Sequence, residues 1–236
     1  MKNVLITGGS RGIGKACVYE FSNNGYRVFL NYNKSSDEAE KIKNETGAVI
    51  VKADVSDSKQ VNDMAEFIHT NYGKIDVIVN NAGISQQKLF TDITENDWDR
   101  MFDVNMKSMY LVTKAFVDDM IYKQSGKIIN ISSMWGVTGG SCEVHYSAAK
   151  AAVIGFTKAL AKELAPSGIQ VNAVACGAID TEMNGHLSDD DKASLAEEIP
   201  AGRFGSPQEV AKLVKSLSGM NSYLTGQIIT LDGGWI

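Results

Sequence analysis

The segment Thr7-Gly8-Gly9-Ser10-Arg11-Gly12-Ile13-Gly14 limits the possible folds more than any other part of this chain. It follows the apolar residues 4–6, which indicate a buried strand, and it precedes a helical pattern of apolar residues. A strand, a glycine-rich turn and a helix in this order present free backbone N–H groups and the positive end of a helix dipole to a phosphate. We expect Gly8 to allow the turn, Gly12 to admit a pyrophosphate and Gly14 to pack the helix closely against the strand. The alternative is a purely structural glycine turn.

Short apolar runs alternate with amphipathic helical segments along the chain. Most runs are continuously apolar or β-branched, which is typical of parallel strands buried on both faces. Strict alternation predicts right-handed crossovers and an α/β fold, a single Rossmann-type doubly wound parallel sheet of about seven strands with helices on both faces. The predicted strands are 2–6, 27–32, 48–53, 76–80, 127–132, 169–175 and 227–231, and the predicted helices are 12–24, 36–46, 58–72, 95–123, 144–165 and 207–218.

Composition narrows the class of protein. The 236 residues, 44% of them hydrophobic, suit a single domain spanning 1–236, and a net charge of −5 argues against nucleic-acid binding. The three widely spaced cysteines form no disulfide framework, and we find no signal peptide or apolar run of membrane length. We therefore expect a soluble, cytoplasmic protein that binds no membrane. No metal site is expected, because His69, His145 and His186 lie at no ligand spacing from another histidine or cysteine.

Tyr146 and Lys150 are four residues apart, so both side chains lie on one face of a predicted helix. Tyr110 and Lys114 share this spacing, but Tyr110 falls in the middle of a long predicted helix, where we expect a packing role. Only Tyr146 follows a predicted strand that ends in Ser133. Because ligands bind beyond the carboxyl ends of strands in a doubly wound sheet, we expect Ser133 and Tyr146 to meet over a nicotinamide.

These side chains suit the interconversion of a ketone and an alcohol. A phenol has an ordinary pKa of about 10, and a neighbouring ammonium group lowers that pKa by favouring the phenolate. We therefore expect Lys150 to lower the pKa of Tyr146, which donates a proton to a carbonyl oxygen as hydride arrives. Ser133 would hold the same oxygen, and Lys150 would also bind the nicotinamide ribose. His145 is adjacent in sequence but points about 100° away on the helix, so we expect it to line the pocket.

With these residues in place, the chain resembles the short-chain dehydrogenase/reductase family over nearly its whole length. The matching motifs are Thr7-Gly8-x-x-x-Gly12-x-Gly14, Asp54-Val55, Asn80-Asn81-Ala82-Gly83, Asn105, Ser133, Tyr146-x-x-x-Lys150 and Gly177-x-Ile179-x-Thr181. They occur in the family's order and near its spacing, which makes the resemblance specific. Structural stabilisation of a turn or kink is the alternative role for Asn80 and for Asn105.

The resemblance implies further roles. The side chain of Asp54 would contact an adenine, and the backbone of Asn81 would pass the adenosine ribose. Asn105 would hold a water that links Lys150 to solvent, which completes a catalytic set of Asn105, Ser133, Tyr146 and Lys150. The predicted cofactor-binding residues are Gly8, Ser10, Arg11, Gly12, Ile13, Gly14, Asn33, Lys34, Asp54, Val55, Asn81, Ala82, Gly83, Tyr146, Lys150, Ile179 and Thr181, of which Ile179 and Thr181 would hold the nicotinamide carboxamide.

The end of the second predicted strand favours NADP(H) over NAD. Enzymes specific for NAD place an acidic residue there to hold the ribose 2′-OH, whereas this chain has Tyr32. Arg11, Asn33 and Lys34 offer hydrogen bonds to a 2′-phosphate instead. The alternative is that Arg11 and Lys34 are ordinary solvated charges. Use of NADPH indicates reduction of a ketone to an alcohol.

Segment 183–206 is acidic and irregular, and it lies where an active-site lid would sit, between the sixth strand and a late helix. The family usually has Pro-Gly before this segment, but this chain has Cys176-Gly177. Without the proline the start of the lid is less constrained. Cys176 is either an oxidisable thiol near the site or a small buried apolar residue.

Two substrate classes remain open. The chain resembles 3-oxoacyl-[acyl-carrier-protein] reductases, which implies a 3-oxoacyl thioester on acyl carrier protein and a role in fatty acid biosynthesis. However, Gln124 and Ser167 stand where that subgroup tends to have carrier-docking arginines. Residues 133–136, 141–143 and 233–235 instead resemble a branch that reduces a 5-aminopentanone group on elongation factor P, whose amine Glu143 could meet. The alternative role of Glu143 is to offset a helix dipole. The predicted substrate-binding residues are Ser133, Trp135, Glu143 and Tyr146.

A non-catalytic NADP(H)-binding sensor or scaffold is a further alternative, although such proteins usually lack the tyrosine, the lysine or a loop glycine. The family resemblance also implies a homotetramer, in which helices 95–123 and 144–165 pair across a two-fold axis. Apolar residues on the first of these helices either extend that interface or belong to the core: Met101, Met106, Met109 and Val112.

Overall fold

The computed structural model describes residues 1–185, 187–219 and 223–236, so His186 lies outside the described residues. Within these ranges seven parallel strands form one sheet in the order β3-β2-β1-β4-β5-β6-β7. The strands are β1 (Asn3–Ile6), β2 (Arg27–Tyr32), β3 (Val49–Lys52), β4 (Val77–Asn80), β5 (Gly126–Ser133), β6 (Ile169–Cys176) and β7 (Ile228–Leu231). The predicted doubly wound α/β fold is confirmed.

Helices cover both faces of the sheet. They are α1 (Gly12–Asn23), α2 (Ser36–Thr46), α3 (Ser58–Tyr72), α4 (Glu95–Phe102), α5 (Ser108–Lys123), α6 (Trp135–Thr138), α7 (Val144–Leu164), α8 (Asp189–Glu198) and α9 (Pro207–Gly219). One apolar core packs α1, α2 and α9 against the sheet, and the other packs α3, α5 and α7 against the opposite face. No helix in the described ranges is long and apolar enough to cross a membrane.

The predicted helix 95–123 is interrupted by a π-helical turn at Asp103–Lys107. The Asn105 Nδ2 donates to the Met101 carbonyl oxygen at 3.0 Å, which is the acceptor that the Asn105 backbone N–H would use in an α-helix. The side chain thus competes with the regular ladder, and the turn widens. Asn105 therefore stabilises the kink, which is the structural one of its two expected roles.

The segment expected to be an irregular lid contains a helix, α8. Ser188 and Asp191 form a capping box, and acidic residues fill the first turn, where they offset the helix dipole. None of the residues of α8 is buried. Without an apolar stripe, the helix gave no periodic signal in the sequence.

Buried polar residues tie the middle of the sheet to α7. The Asn80 Nδ2 donates to the Asn130 Oδ1 at 2.9 Å, and the Asn130 Nδ2 donates to the Thr157 Oγ1 at 2.9 Å. Asn80 is thus a structural residue that joins β4 to β5.

The apolar residues of α4 and α5 belong mainly to the core. Met101, Met109 and Val112 are buried, and Met106 is half-buried. These residues therefore supply little of an intersubunit face, although exposed Trp98 and Tyr110 lie on the same two helices.

Candidate active site

A cleft of about 1210 Å³ opens at the carboxyl edge of the sheet. It runs from the glycine-rich loop after β1, past the ends of β4 and β5, to the first turn of α7. Every predicted site residue except Gly14 lines this cleft. The parallel topology produces this convergence, because the loops that leave the carboxyl ends of all the strands lie on the same edge.

The glycine-rich loop takes a shape that side chains would prevent. Gly8 and Gly12 have φ values of +62° and +51°, in the left-handed region that favours glycine. A Cβ on Gly14 would lie 2.2 Å from the Gly8 carbonyl oxygen, so Gly14 packs α1 against the loop rather than lining the cleft. The Asn81 Nδ2 donates to the carbonyl oxygens of Thr7 at 2.9 Å and Gly8 at 3.2 Å, which holds the loop against the end of β4.

The end of β2 forms the far end of the cleft. Buried Tyr32 lines this cleft, as do the exposed residues Arg11, Asn33 and Lys34. The Asn33 Nδ2 donates to the Asp54 Oδ2 at 2.9 Å. Burial tends to raise the pKa of Asp54, but hydrogen bonds from Ser56 and Asn33 outweigh that effect and lower the pKa. Asp54 is thus an ionised acceptor at this end of the cleft.

Ser133, Tyr146 and Lys150 meet at the other end. Ser133 is the last residue of β5, and its side chain is hydrogen-bonded to the Tyr146 phenol in the first turn of α7. One turn further, the Lys150 Nζ lies 5.6 Å from the centre of the Tyr146 ring and donates to the Ile131 carbonyl oxygen at 3.1 Å. All three side chains are less than 10% exposed. The arrangement places a hydroxyl, a phenol and an ammonium group side by side in a largely buried site.

The predicted lowering of the Tyr146 pKa is wrong for this structure. Burial raises the pKa of Tyr146, and the Glu143 charge adds to the rise, while the Ser133 hydrogen bond only partly opposes it. Burial also lowers the pKa of Lys150 to about 8. Both changes have one cause, because removing a group from water disfavours its charged form.

The sequence model for short chain dehydrogenases matches residues 2–192. The chain belongs to the short-chain dehydrogenase/reductase family. It is 42% identical to the 3-oxoacyl-[acyl-carrier-protein] reductase of Aquifex aeolicus, over 98% of this chain and 95% of that protein. It is 40% identical to the enzyme of the same name from Thermotoga maritima, over 100% and 98% of the two chains. An uncharacterized oxidoreductase of Bacillus subtilis is 43% identical, over 99% and 98%.

Asn105 and Lys150 of this dehydrogenase approach each other beside Gly83. A Cβ on Gly83 would lie 2.7 Å from the Asn105 Oδ1 and 3.5 Å from the Lys150 Nζ. The Asn105 amide also bonds both backbone groups of Ile84, with its Oδ1 accepting at 3.2 Å and its Nδ2 donating at 3.0 Å. The π-helical turn therefore fixes the amide against the loop that follows β4, next to the lysine.

Cys176, which replaces the usual proline, behaves as a small buried residue. It pairs with Ser133 in the β5–β6 register, and its carbonyl oxygen accepts from the Met134 N–H at 2.9 Å. Burial raises the pKa of the Cys176 thiol to about 12, although nearby Lys150 opposes the rise. Because the thiolate is the form that reacts with oxidants, burial of Cys176 disfavours its oxidation.

The end of the cleft near Ser133, where we expect the substrate and which we call the substrate end, holds two tryptophans and a carboxylate. The rings of Trp135 and Trp235 lie 5.7 Å apart, and the backbone N–H of Trp135 donates to the Ser133 Oγ at 3.2 Å. Glu143 lines the same region. Our sequence analysis did not include Trp235 among the site residues. Its signal was the resemblance of residues 233–235 to the branch that acts on elongation factor P.

The expected lid forms part of the cleft wall. The segment contributes four apolar side chains to the lining: Met183, Leu187, Leu195 and Phe204. The Ala201 N–H donates to the Gly233 carbonyl oxygen at 3.0 Å, so the end of the segment is attached to the tail that carries Trp235. Segment 183–206 and the tail thus both contribute side chains to the cleft wall.

Two side chains occupy other places than expected. His145 is fully buried, and its Nε2 lies 3.1 Å from the Gln86 Oε1, so it does not line the cleft. Tyr110 is 45% exposed, and its hydroxyl accepts from the Lys114 Nζ at 3.2 Å. Both differences arise from the rotational setting of the helices, which the sequence alone left undetermined.

Proposed function

We propose that this short-chain dehydrogenase reduces a ketone to an alcohol with NADPH, and that Tyr146 donates the proton. The observation that carries the proposal is the Tyr146 phenol hydrogen-bonded to Ser133, with Lys150 beside it, at the carboxyl end of β5. A carbonyl oxygen placed between the two hydroxyl groups would receive a hydrogen bond from each. The site thus stabilises negative charge on that oxygen as it develops.

The cleft fits a dinucleotide. The left-handed Gly8 and Gly12 and the first turn of α1 provide the close backbone approach that a pyrophosphate requires. Asp54 and Asn81 would hold the adenosine half, and Lys150 the nicotinamide ribose. Other residues of the lining would complete the contacts: Ser10, Ile13, Val55, Ala82, Gly83, Ile179 and Thr181. When bound, the cofactor supplies the hydride.

The charges near β2 support NADPH over NADH. Exposed Arg11 and Lys34 lie on the cleft wall around Tyr32, where an NAD enzyme would carry an acidic residue. Each charge-assisted hydrogen bond to a 2′-phosphate contributes about 1.5–3 kcal/mol. The Asn33 amide, already bonded to Asp54, would face the same group.

The route of the proton follows from the raised pKa of Tyr146 and the lowered pKa of Lys150. Because burial raises the pKa of Tyr146, the phenol keeps its proton at neutral pH and is ready to donate it. Lys150, with a pKa of about 8, exchanges protons readily at that pH and can reprotonate the tyrosine. Asn105, held beside Lys150 by the π-helical turn, would position the water that connects the lysine to solvent.

A 3-oxoacyl thioester on acyl carrier protein is the proposed substrate. Two relatives that match over nearly their full length are named as reductases of such substrates. The four apolar lid residues of the cleft lining, Met183, Leu187, Leu195 and Phe204, suit an acyl chain. Segment 183–206 would act as a lid that excludes water during hydride transfer.

A ketone that carries an ammonium group is the second candidate, as on 5-aminopentanone-modified elongation factor P. It is favoured by Glu143 and by the Trp135–Trp235 pair. Aromatic faces and a carboxylate together attract a cation, with about 0.5–2 kcal/mol for each cation–π contact. An acyl thioester carries no cation for the Glu143 carboxylate to bind.

The experiment is NADPH consumption with acetoacetyl-coenzyme A and, separately, with 5-(trimethylammonio)-2-pentanone, an ammonium ketone that cannot cyclise to an imine, by the purified protein and its Glu143→Gln variant. Fast turnover of the thioester by both proteins would support the acyl substrate. Turnover of the ammonium ketone with a KM that rises about tenfold in Glu143→Gln would support the second candidate. Tight NADPH binding without turnover of either ketone would refute both and favour a non-catalytic sensor or scaffold.

A further inference from the structure

We propose that Gln86 is a positioning residue for Tyr146, acting as an amide link between Asp97 at the start of α4 and His145 at the start of α7. The inference rests on the proposed function, since it concerns the orientation of the Tyr146 phenol, which is the proposed proton donor. Gln86 lies in the loop after β4. It belongs to none of the motifs described above.

The donors and acceptors along this link follow from chemistry. The Gln86 Nε2 lies 3.4 Å from the Asp97 Oδ1, and the Gln86 Oε1 lies 3.1 Å from the His145 Nε2. A carboxylate can only accept, so the amide must turn its NH₂ group toward Asp97. Its oxygen then faces His145, which must carry its proton on Nε2.

Asp97 and His145, at the two ends of the link, each keep a single charge state at neutral pH. Hydrogen bonds from Lys88 and Thr94 keep the pKa of Asp97 well below its usual range. Burial lowers the pKa of His145, which stays neutral at pH 7. Among the described residues the His145 Nδ1 has no hydrogen-bond partner, as expected for the unprotonated nitrogen of the Nε2–H form. The link is therefore a fixed chain of donors and acceptors.

A second contact attaches the same loop to the entry of α7. The Lys88 N–H donates to the Cys142 carbonyl oxygen at 2.7 Å, while its Nζ lies 2.6 Å from the Asp97 Oδ2. Cys142, just before α7, and His145, in its first turn, are thus both held to the start of α4. Successive residues of a helix point about 100° apart, so His145 faces Gln86 while Tyr146 faces the cleft. Fixing the position of His145 therefore also fixes the direction of the Tyr146 side chain.

The test begins with Gln86→Leu, which removes both hydrogen bonds at nearly constant volume. We expect kcat to fall roughly tenfold while the KM and Kd for NADPH stay within about twofold, because a small misplacement of a reacting group slows the chemical step. Gln208→Leu, on the exposed start of α9, is the matched control and should keep the wild-type rate. An unchanged kcat in Gln86→Leu, or an equal loss in Gln208→Leu, would overturn the proposal.

A paired exchange tests the link itself. Gln86→Glu places two carboxylates together and should lower kcat at least as much as Gln86→Leu. Adding Asp97→Asn provides an amide donor to the new carboxylate, which still accepts from His145. The double variant should therefore return kcat to within about threefold of wild type. Failure of the pair to recover more than either single variant would contradict the link. This comparison also decides the matter if Gln86→Leu does not fold.

Nitrogen-15 NMR of the His145 ring provides a readout that needs no substrate. The wild-type protein should show the Nε2–H form, and Gln86→Leu should show a mixture of both tautomers. An Nδ1–H form in the wild-type protein would overturn the Gln86 proposal, even if the ketone is reduced. An Nε2–H form in a protein that reduces no ketone would refute the proposed function while supporting the link.

Discussion

Gly14 and Gly8 are packed so closely that a Cβ on Gly14 would lie 2.2 Å from the Gly8 carbonyl oxygen. Gly14→Ala must therefore push α1 away from the loop or distort the loop. We expect a loss of about 1–3 kcal/mol in the free energy of unfolding and at least a tenfold weaker affinity for NADPH. Denaturant unfolding and fluorescence titration measure the two effects. Asn23→Ala, exposed at the end of the same helix, should change stability by less than about 0.5 kcal/mol. Equal affinities of Gly14→Ala and wild type would contradict a pyrophosphate site at this loop.

Tyr146→Phe removes the hydroxyl group that donates the proton. We expect kcat for ketone reduction to fall by a factor on the order of 10²–10⁴, with little change in NADPH affinity. Single-turnover kinetics under saturating NADPH measure the loss. Tyr110→Phe, which has the same spacing to a lysine but lies on the surface of α5, should retain full activity. Normal turnover by Tyr146→Phe would refute the assigned role.

The pH dependence of reduction should follow Lys150. Its pKa is lowered to about 8, whereas that of Tyr146 is raised, so the lysine loses its proton first as the pH increases. Reprotonation of the tyrosine then slows, and we expect kcat to decline as the pH passes through about 8. A profile of kcat at saturating substrate measures this decline. The profile should run from about pH 6 to about pH 10, which is about two units on either side of the Lys150 pKa. A flat profile over this range would show that Lys150 delivers no proton.

Arg11→Ala and Lys34→Ala should each weaken the preference for NADPH. Loss of one charge-assisted hydrogen bond, about 1.5–3 kcal/mol, corresponds to a rise in the KM for NADPH of roughly tenfold or more. The KM for NADH should change little, because it has no 2′-phosphate. Lys41→Ala, exposed on α2, is the control for a general loss of positive charge. Parallel changes in both KM values would contradict a 2′-phosphate contact.

Trp235→Ala should affect the ketone rather than the cofactor. The ring of Trp235 lies 5.7 Å from that of Trp135, so its removal exposes the substrate end of the cleft. We expect the KM for the ketone to rise about fivefold or more through loss of an aromatic contact, roughly 1 kcal/mol, while Trp235→Phe keeps most of the affinity. Initial rates at varied ketone concentration measure both variants. A change confined to the KM for NADPH would place Trp235 outside the substrate end.

The glycine-rich turn, the apolar runs and the Tyr146–Lys150 spacing were sufficient to predict the sheet and to place the loop, Ser133 and Tyr146 at one site, whereas the family resemblance added other residues of the cleft, such as Asp54 and Asn105. These features depend on local rules, namely the φ angles that glycine allows, the period of apolar residues and the single face shared by residues four apart. Since the carboxyl ends of parallel strands lie at one edge of the sheet, local predictions were enough to bring these site residues together.

The tertiary structure decided what depends on distant parts of the chain. The pKa of Tyr146 rises because segments remote in sequence exclude water from it, and Trp235 reaches the cleft because the tail bonds to Ala201. Helix α8 was missed because it buries nothing, and the setting of α7 directs His145 to Gln86. Burial and helix rotation are properties of packing between elements, so no local pattern in the sequence determines them.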